Sequence, residues 1–134
     1  MRRIVEMAKL AAQEADEALK TVKKNRPQAE RLANFMTLCR LMTQYYEEKV
    51  ATATEALVYA ETGRAEDRRA AERLANRTVA LYGKAVRFMK DKLPELETGN
   101  LQGFGEKPVK DLNELVAMEK TERSKLGKIF GWPQ

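Results

Sequence analysis

The fold is decided by residues 58–66, Val-Tyr-Ala-Glu-Thr-Gly-Arg-Ala-Glu, which lie between two long runs of regularly spaced apolar residues. Gly63 is a natural residue to end a helix, because glycine adopts the left-handed backbone conformation without strain. A connection this short makes the helices on either side antiparallel neighbours. The sequence therefore predicts a helical hairpin that turns at Gly63.

The helix before this turn is predicted to run from about Pro27 to Thr62. Its apolar residues recur at steps of three and four, which is typical of one helix face. A second, shorter set widens the stripe near the middle and indicates burial against more than one helix. β-Branched residues cluster at 52–55, where we expect any kink or break. The main stripe is Leu32, Phe35, Cys39, Met42, Tyr46, Val50, Ala53, Leu57 and Ala60, and the widening set is Leu38, Leu41 and Tyr45.

The helices on either side show the same spacing. The third is predicted from about Ala65 to Lys92, because Pro94 disfavours helical geometry at the residue before it. The first is predicted from about Arg3 to Lys24 and ends before Pro27, which suits the first turn of the next helix. The predicted buried stripe of the first helix is Ile4, Ala8, Ala11, Ala15, Ala18 and Val22.

Residues 97–108 are predicted to form a flexible connector, because three glycines fall within seven positions of this segment. A shorter fourth helix follows, from about Val109 to Lys125. No strand pattern occurs. The predicted fold class is all-α, an antiparallel helical bundle of three long helices plus a shorter C-terminal helix. We expect a single domain over residues 1–134, either a whole protein or a fragment of a longer one.

The residue types argue against an enzyme. The chain has no histidine, the commonest general base and metal ligand. Its one cysteine, Cys39, cannot build a zinc site alone. Neighbouring carboxylates such as Glu47 and Glu48 point about 100° apart on a helix, which is typical of a solvated face. We therefore expect no catalytic centre, no metal and no cofactor.

The favoured hypothesis is a non-catalytic structural or protein-interaction module. Its C-terminal residues Ile129, Phe130 and Trp132 are apolar and predict a docking site. The partner would be another protein or a copy of the chain itself, with self-association through the long second helix as one form.

The alternative hypothesis is a nucleic-acid-binding protein. It rests on a basic ridge of the third helix and on C-terminal cations. Glu66 and Glu72 lie among these residues and can pair with them locally, which favours a solvated, salt-bridged face. An acidic protein is a further partner for such a ridge. The basic residues are Arg64, Arg68, Arg69, Arg73, Arg77, Lys120, Arg123, Lys125 and Lys128.

A third hypothesis is an enzyme or small-ligand carrier that uses tyrosines and carboxylates between the helices. It requires a polar pocket inside the bundle. The net charge of +5 is modest and does not decide among the three hypotheses.

The chain start, Met1-Arg2-Arg3, is basic but lacks the apolar segment of a secretion signal. No apolar run approaches the roughly 20 residues of a membrane span. We expect a cytoplasmic protein without a membrane partner, unless the chain belongs to a longer protein.

Residues 32–88 carry a more particular pattern. A Tyr-Tyr-x-x-Lys helix rich in alanine ends in Tyr-x-x-Thr-Gly and turns into a second alanine-rich helix. This resembles helical accessory regions towards the C-terminus of some large bacterial carbohydrate-active proteins. The resemblance implies a non-catalytic packing or binding module and carries over no active-site residue. The matching positions are Tyr45, Tyr46, Lys49, Ala53, Ala56, Tyr59, Thr62, Gly63 and Tyr82.

Overall fold

The computed structural model describes residues 2–96 and 112–131. No strand occurs in these ranges, so the all-α prediction is confirmed. The predicted connector 97–108 lies outside the described residues. The helices are α1 (Arg2–Thr21), α2 (Arg26–Thr62), α3 (Ala65–Lys92) and α4 (Leu112–Phe130), with a 3₁₀ turn at Pro94–Leu96.

The predicted turn between α2 and α3 forms at Gly63. This glycine has a φ of 64°, and its N–H donates to the Tyr59 carbonyl at 2.8 Å. The following turn is fastened by Asp67, which accepts hydrogen bonds from the Arg64 guanidinium and the Thr62 hydroxyl. α2 and α3 then pack on each other along the most extensive contact in the fold.

The ends of the other helices differ from the prediction. α1 ends at Thr21, and Asn25 takes a left-handed conformation before α2 begins. α4 continues to Phe130, five residues beyond the predicted end. α2 is helical through 52–55, so the expected break does not occur there. The Thr52 hydroxyl donates to the Glu48 carbonyl at 2.8 Å, which satisfies this polar group within the helix.

α4 lies in the groove between α2 and α3. Two hydrogen bonds hold it antiparallel to α3, from Lys90 to Asn113 at 3.0 Å and from Arg123 to Asn76 at 2.6 Å. α1 packs chiefly on α2, on a different side from α3. The core has two parts. One contains Leu38, Leu41, Ala85 and Leu93, and the other contains Ala56, Ala71 and Ala75 with Leu126 and Phe130 against them.

The predicted main stripe of α2 is largely exposed. Leu32 is 56% exposed and Leu57 66%, whereas the supposed widening residues Leu38, Leu41 and Tyr45 are buried. The physical reason is that α3 packs against the side of α2 that carries Tyr45. The prediction that the main stripe is buried was therefore wrong, whereas the predicted burial of Leu38, Leu41 and Tyr45 is confirmed.

The buried residues of α1 also differ from the predicted ones. Val5 and Ala12 are buried, while Ile4 is 55% exposed. One residue along a helix turns a side chain by about 100°, so the buried stripe is rotated away from the predicted one. None of the described helices is long and apolar enough to span a bilayer.

Candidate functional site

A pocket of about 300 Å³ opens where α4 meets the middle of α2 and α3. Its walls combine three tyrosines with methionine and leucine side chains, and three charged residues lie among them. A pocket of this composition can bind a small molecule or the side chain of a partner. The lining residues are Met42, Tyr45, Tyr46, Lys49, Tyr82, Leu115, Met118, Glu119 and Glu122.

Glu119 is the polar centre of this pocket. Its side chain is 10% exposed, and its Oε2 accepts a 2.7 Å hydrogen bond from the Tyr45 hydroxyl. The Lys49 ammonium donates to the same oxygen at 3.0 Å and to the Tyr45 hydroxyl at 2.9 Å. These three groups form a closed triangle between α2 and α4. The buried carboxylate therefore has both a neutral donor and a charged partner.

The tyrosine rings pack together beside this triangle. The centroid of the Tyr45 ring lies 4.8 Å from that of Tyr82 and 5.0 Å from that of Tyr46, both in tilted arrangements. The Lys49 ammonium lies 5.3 Å from the Tyr45 centroid, at the hydroxyl end of the ring, where it donates to the Tyr45 hydroxyl. The contact between the Tyr45 and Tyr82 rings thus joins α2 to α3, beside the charge pair of Lys49 and Glu119 that joins α2 to α4.

Burial and the hydrogen bond to Glu119 raise the pKa of Tyr45 above its ordinary value. Burial also raises the pKa of Tyr82. Both phenols therefore keep their protons near neutral pH and act as hydrogen-bond donors. The polar pocket that the third hypothesis requires is present, but its buried phenols are not general bases under these conditions.

The apolar positions predicted for the second helix included Tyr45 and Tyr46, but Lys49 and Glu119 were not predicted as pocket residues. One sequence signal could have indicated Glu119. This carboxylate lies four residues after Leu115, on the apolar side of α4. A buried acid of this kind needs a partner from elsewhere in the chain.

Exposed apolar residues continue on both sides of the pocket. We call the eight α2 positions at this surface the α2 face. Cys39 and Met42 are half-buried, and the other six are exposed. The same side of α4 adds Met118, which shares the pocket wall with Tyr46. The α2 face consists of Leu32, Phe35, Cys39, Met42, Tyr46, Val50, Ala53 and Leu57.

The structure describes two of the three predicted docking residues, and their environments differ. Ile129 is 72% exposed, as a docking residue would be. Phe130 instead packs beside Ala56, Ala71 and Ala75, so it belongs to the core and not to a free tail. Trp132 lies outside the described residues.

The predicted basic ridge is partly neutralised. Arg64 donates to Asp67 at 2.8 Å and lies 3.3 Å from Glu66, and Arg77 pairs with Glu48 of α2 at 3.0 Å. Lys125 lies 3.9 Å from Glu122. These residues do not form one continuous cationic surface.

The other residues of the predicted basic surface have no carboxylate partner among the described residues. Arg68 is half-buried, and its Nε has no hydrogen-bond partner among the described residues. Arg123 binds Asn76 across the groove between α3 and α4. Arg69, Arg73, Lys120 and Lys128 are exposed, without an ion-pair partner in the described part of the chain.

Comparison with protein-family models, curated proteins and solved structures finds no match to this chain. Across the described ranges, no three histidine, cysteine or carboxylate side chains come together as a metal site would require.

Proposed function

We propose that this chain is a non-catalytic helical interaction module that associates with a second copy of itself through the α2 face. The observation that carries the proposal is the row of exposed large apolar side chains on one side of α2. Exposed apolar surface of this extent is typical of an interaction site. The resemblance of residues 32–88 to bacterial accessory regions is in accord with such a module.

The spacing along the α2 face favours an antiparallel pair. When two copies of α2 cross near Gln44, Leu32 faces Leu57, Phe35 faces Ala53, and Cys39 faces Val50. Each contact then occurs twice, as a two-fold symmetric interface requires. Phe35 lies opposite a small residue, so the two helices can approach closely.

The size and chemistry of the α2 face also suit a second copy. Leu32 and Leu57 are separated by about 37 Å along the helix, at 1.5 Å per residue. None of the eight positions is charged, so pairing removes no unpaired charge from water.

The tyrosine pocket lies at the centre of this interface. Met42 and Tyr46 line the pocket and face each other across the crossing point of the antiparallel pair. Tyr46 of the second copy would therefore cover the pocket opening. Aromatic side chains seated in such central pockets are common energetic anchors of interfaces.

The register can be tested by sedimentation velocity over a range of concentrations. Leu32→Glu and Leu57→Lys each place a charge in the apolar interface, and each should convert a dimer to a monomer. Because both side chains are more than half exposed, neither change disturbs the core. Leu10→Glu on α1, at a comparably exposed position, is the matched control and should remain dimeric.

The double variant Leu32→Glu/Leu57→Lys decides the orientation. In the antiparallel pair, each new glutamate faces a new lysine, so the dimer should return. A parallel pair would place like charges together and remain monomeric. A wild-type chain that stays monomeric at high concentration, or dimers that all variants retain, would overturn the proposal.

A further inference from the structure

The outer side of α3 carries a concentrated positive charge. From Arg68 to Lys90 the chain has seven basic residues and one acidic residue, Glu72. Arg77 is paired with Glu48, but Arg69, Arg73 and Arg87 are exposed without a carboxylate partner in the described ranges. Lys84, Arg87 and Lys90 were not part of the predicted ridge. The exposed Lys84 and Arg87 therefore extend the positive charge of α3 beyond the predicted ridge, which ended at Arg77.

α4 adds cations to the same side of α3. Arg123 is held there by its 2.6 Å hydrogen bond to Asn76. Lys120 shares a pocket of about 400 Å³ with Arg87, Lys90 and Gly83. A Cβ at Gly83 would lie 3.5 Å from Arg87 Nη1, so the Arg87 guanidinium extends over the glycine. We call this surface the α3–α4 groove. Its cations are Arg69, Arg73, Arg87, Lys90, Lys120 and Arg123.

Along the groove, the two cations of α4 lie between the two pairs of cations of α3. Arg123 lies level with Asn76 of α3, and Lys120 lies level with Gly83, between the arginines at the two ends. From Arg69 to Lys90 the groove extends about 31 Å at 1.5 Å per residue. This length corresponds to about nine nucleotides of one B-DNA strand, at 3.4 Å per phosphate.

The chemistry of the groove favours a polyanion that carries phosphate over a protein or a membrane. The large exposed apolar residues of the described chain lie on α1, α2 and α4, and none lies on α3. Protein-interface hot spots and membrane-inserting helices use such residues as anchors, so their absence from the described part of α3 favours a polyanion over a protein or a membrane. Arginine supplies three of the four cations on α3 and matches the geometry of phosphate oxygens with its planar donor fork.

From these observations we infer that the α3–α4 groove binds the phosphate backbone of nucleic acid, without reading its sequence. The groove lies on a different surface from the α2 face, so binding does not depend on self-association. Arg69, Arg73, Arg87 and Lys120, which form neither an ion pair nor a side-chain hydrogen bond within residues 2–96 and 112–131, provide most of the attraction.

Fluorescence anisotropy with labelled 20-nucleotide duplex DNA, single-stranded DNA and single-stranded RNA tests this inference. We expect a Kd of about 10⁻⁴ to 10⁻⁶ M near physiological salt, with affinity that falls steeply as salt rises. Arg87→Gln/Lys120→Gln should weaken binding more than about tenfold and reduce the slope of log affinity against log salt by about 2.

The matched control is Lys9→Gln/Lys23→Gln, which removes the same charge from exposed positions away from the groove. It should keep both the affinity and the salt slope of the unaltered chain. Equal weakening by the two double variants would show attraction to net charge alone and would overturn the inference. Failure to bind any of the three nucleic acids at about 0.02 M salt, well below the ionic strength at which backbone contacts are screened, would also overturn it.

A sulfated polysaccharide is the competing ligand. Retention on a heparin matrix that depends on Arg87 and Lys120, combined with no binding to nucleic acid, would reject the proposed ligand and identify that class instead. Heparin retention together with nucleic-acid binding that follows the expected salt slope supports the inference, because heparin is itself a dense polyanion that a phosphate-binding groove would retain.

Discussion

The Tyr45 hydroxyl donates a 2.7 Å hydrogen bond to Glu119 and thereby joins α2 to α4 across 74 positions of the chain. Lys49 donates to the same carboxylate oxygen at 3.0 Å. Glu119 is buried, so loss of one partner leaves a charge that water cannot fully solvate. The triangle of Tyr45, Lys49 and Glu119 is therefore the buried polar contact that ties α4 to α2.

Tyr45→Phe should destabilise the fold by about 1 to 2 kcal/mol, because it removes the donor to a buried carboxylate and keeps the ring. Urea unfolding followed by circular dichroism measures this change. Tyr59→Phe is the control, since the Tyr59 side chain is half-buried and makes no hydrogen bond within the described ranges. It should change stability by only a few tenths of a kcal/mol. Equal effects of the two substitutions would contradict the role of the hydroxyl.

Stability should fall at alkaline pH. The pKa values of Tyr45 and Tyr82 are raised in the folded chain, chiefly by burial, whereas unfolded tyrosine titrates near 10. Their contribution is complete below about pH 10 and is lost as the pH rises towards the higher folded values. The free energy of unfolding between pH 9 and 11.5, measured by urea titration, checks this. Tyr45→Phe should show a shallower decline, and an unchanged slope would count against the assignment.

Acid should weaken the turn between α2 and α3. The Arg64 guanidinium, followed by the Thr62 hydroxyl, lowers the pKa of Asp67 below its ordinary value. The resulting stability is present above about pH 3.9, the unfolded value, and is lost as the pH falls through the lower folded pKa. Asp67→Asn should reduce the pH dependence of unfolding in this range. NMR titration of the Asp67 carboxyl measures the pKa directly, and an ordinary value would refute the prediction.

The same substitution should have opposite effects at two glycines. Gly63→Ala should destabilise by about 1 to 2 kcal/mol, because its φ of 64° strains any residue with a Cβ. No atom lies within 4 Å of that Cβ position, so the cost is conformational and not steric. Gly83→Ala lies inside α3, with Arg87 Nη1 at an ordinary 3.5 Å, and should stabilise by up to about 1 kcal/mol. Thermal unfolding of the two variants provides the comparison, and changes of the same sign would contradict it.

The helices and the order in which they occur could be predicted from local sequence. The bounds of α3, Ala65–Lys92, and the turn at Gly63 agree with the prediction, because Gly63 and Pro94 act on their own neighbours. α1 was predicted three residues too long at its C-terminal end. Local signals also could not show that α4 continues past Lys125 to Phe130, where the added turn packs on Ala56 and Ala75.

Less of the candidate site than of the fold could be predicted from the sequence. Glu119 becomes a site residue only when α4 packs beside Tyr45 and Lys49, which lie about seventy positions earlier. The neutralisation of Arg77 by Glu48 likewise depends on the packing of α3 against α2. Sequence reasoning identified the neighbours Glu66 and Glu72 as local partners, whereas Asp67 and Glu48 make the shorter contacts.

By itself, the sequence determined an all-α chain, the hairpin turn at Gly63 and the apolar periodicity of α2. Only the tertiary structure decided which side of α2 is buried. The row that includes Leu32 and Leu57 and the row that includes Leu38 and Tyr45 both repeat every three to four residues, so periodicity cannot choose between them. The choice depends on where α3 and α4 pack, which follows from contacts between residues that are distant in the chain.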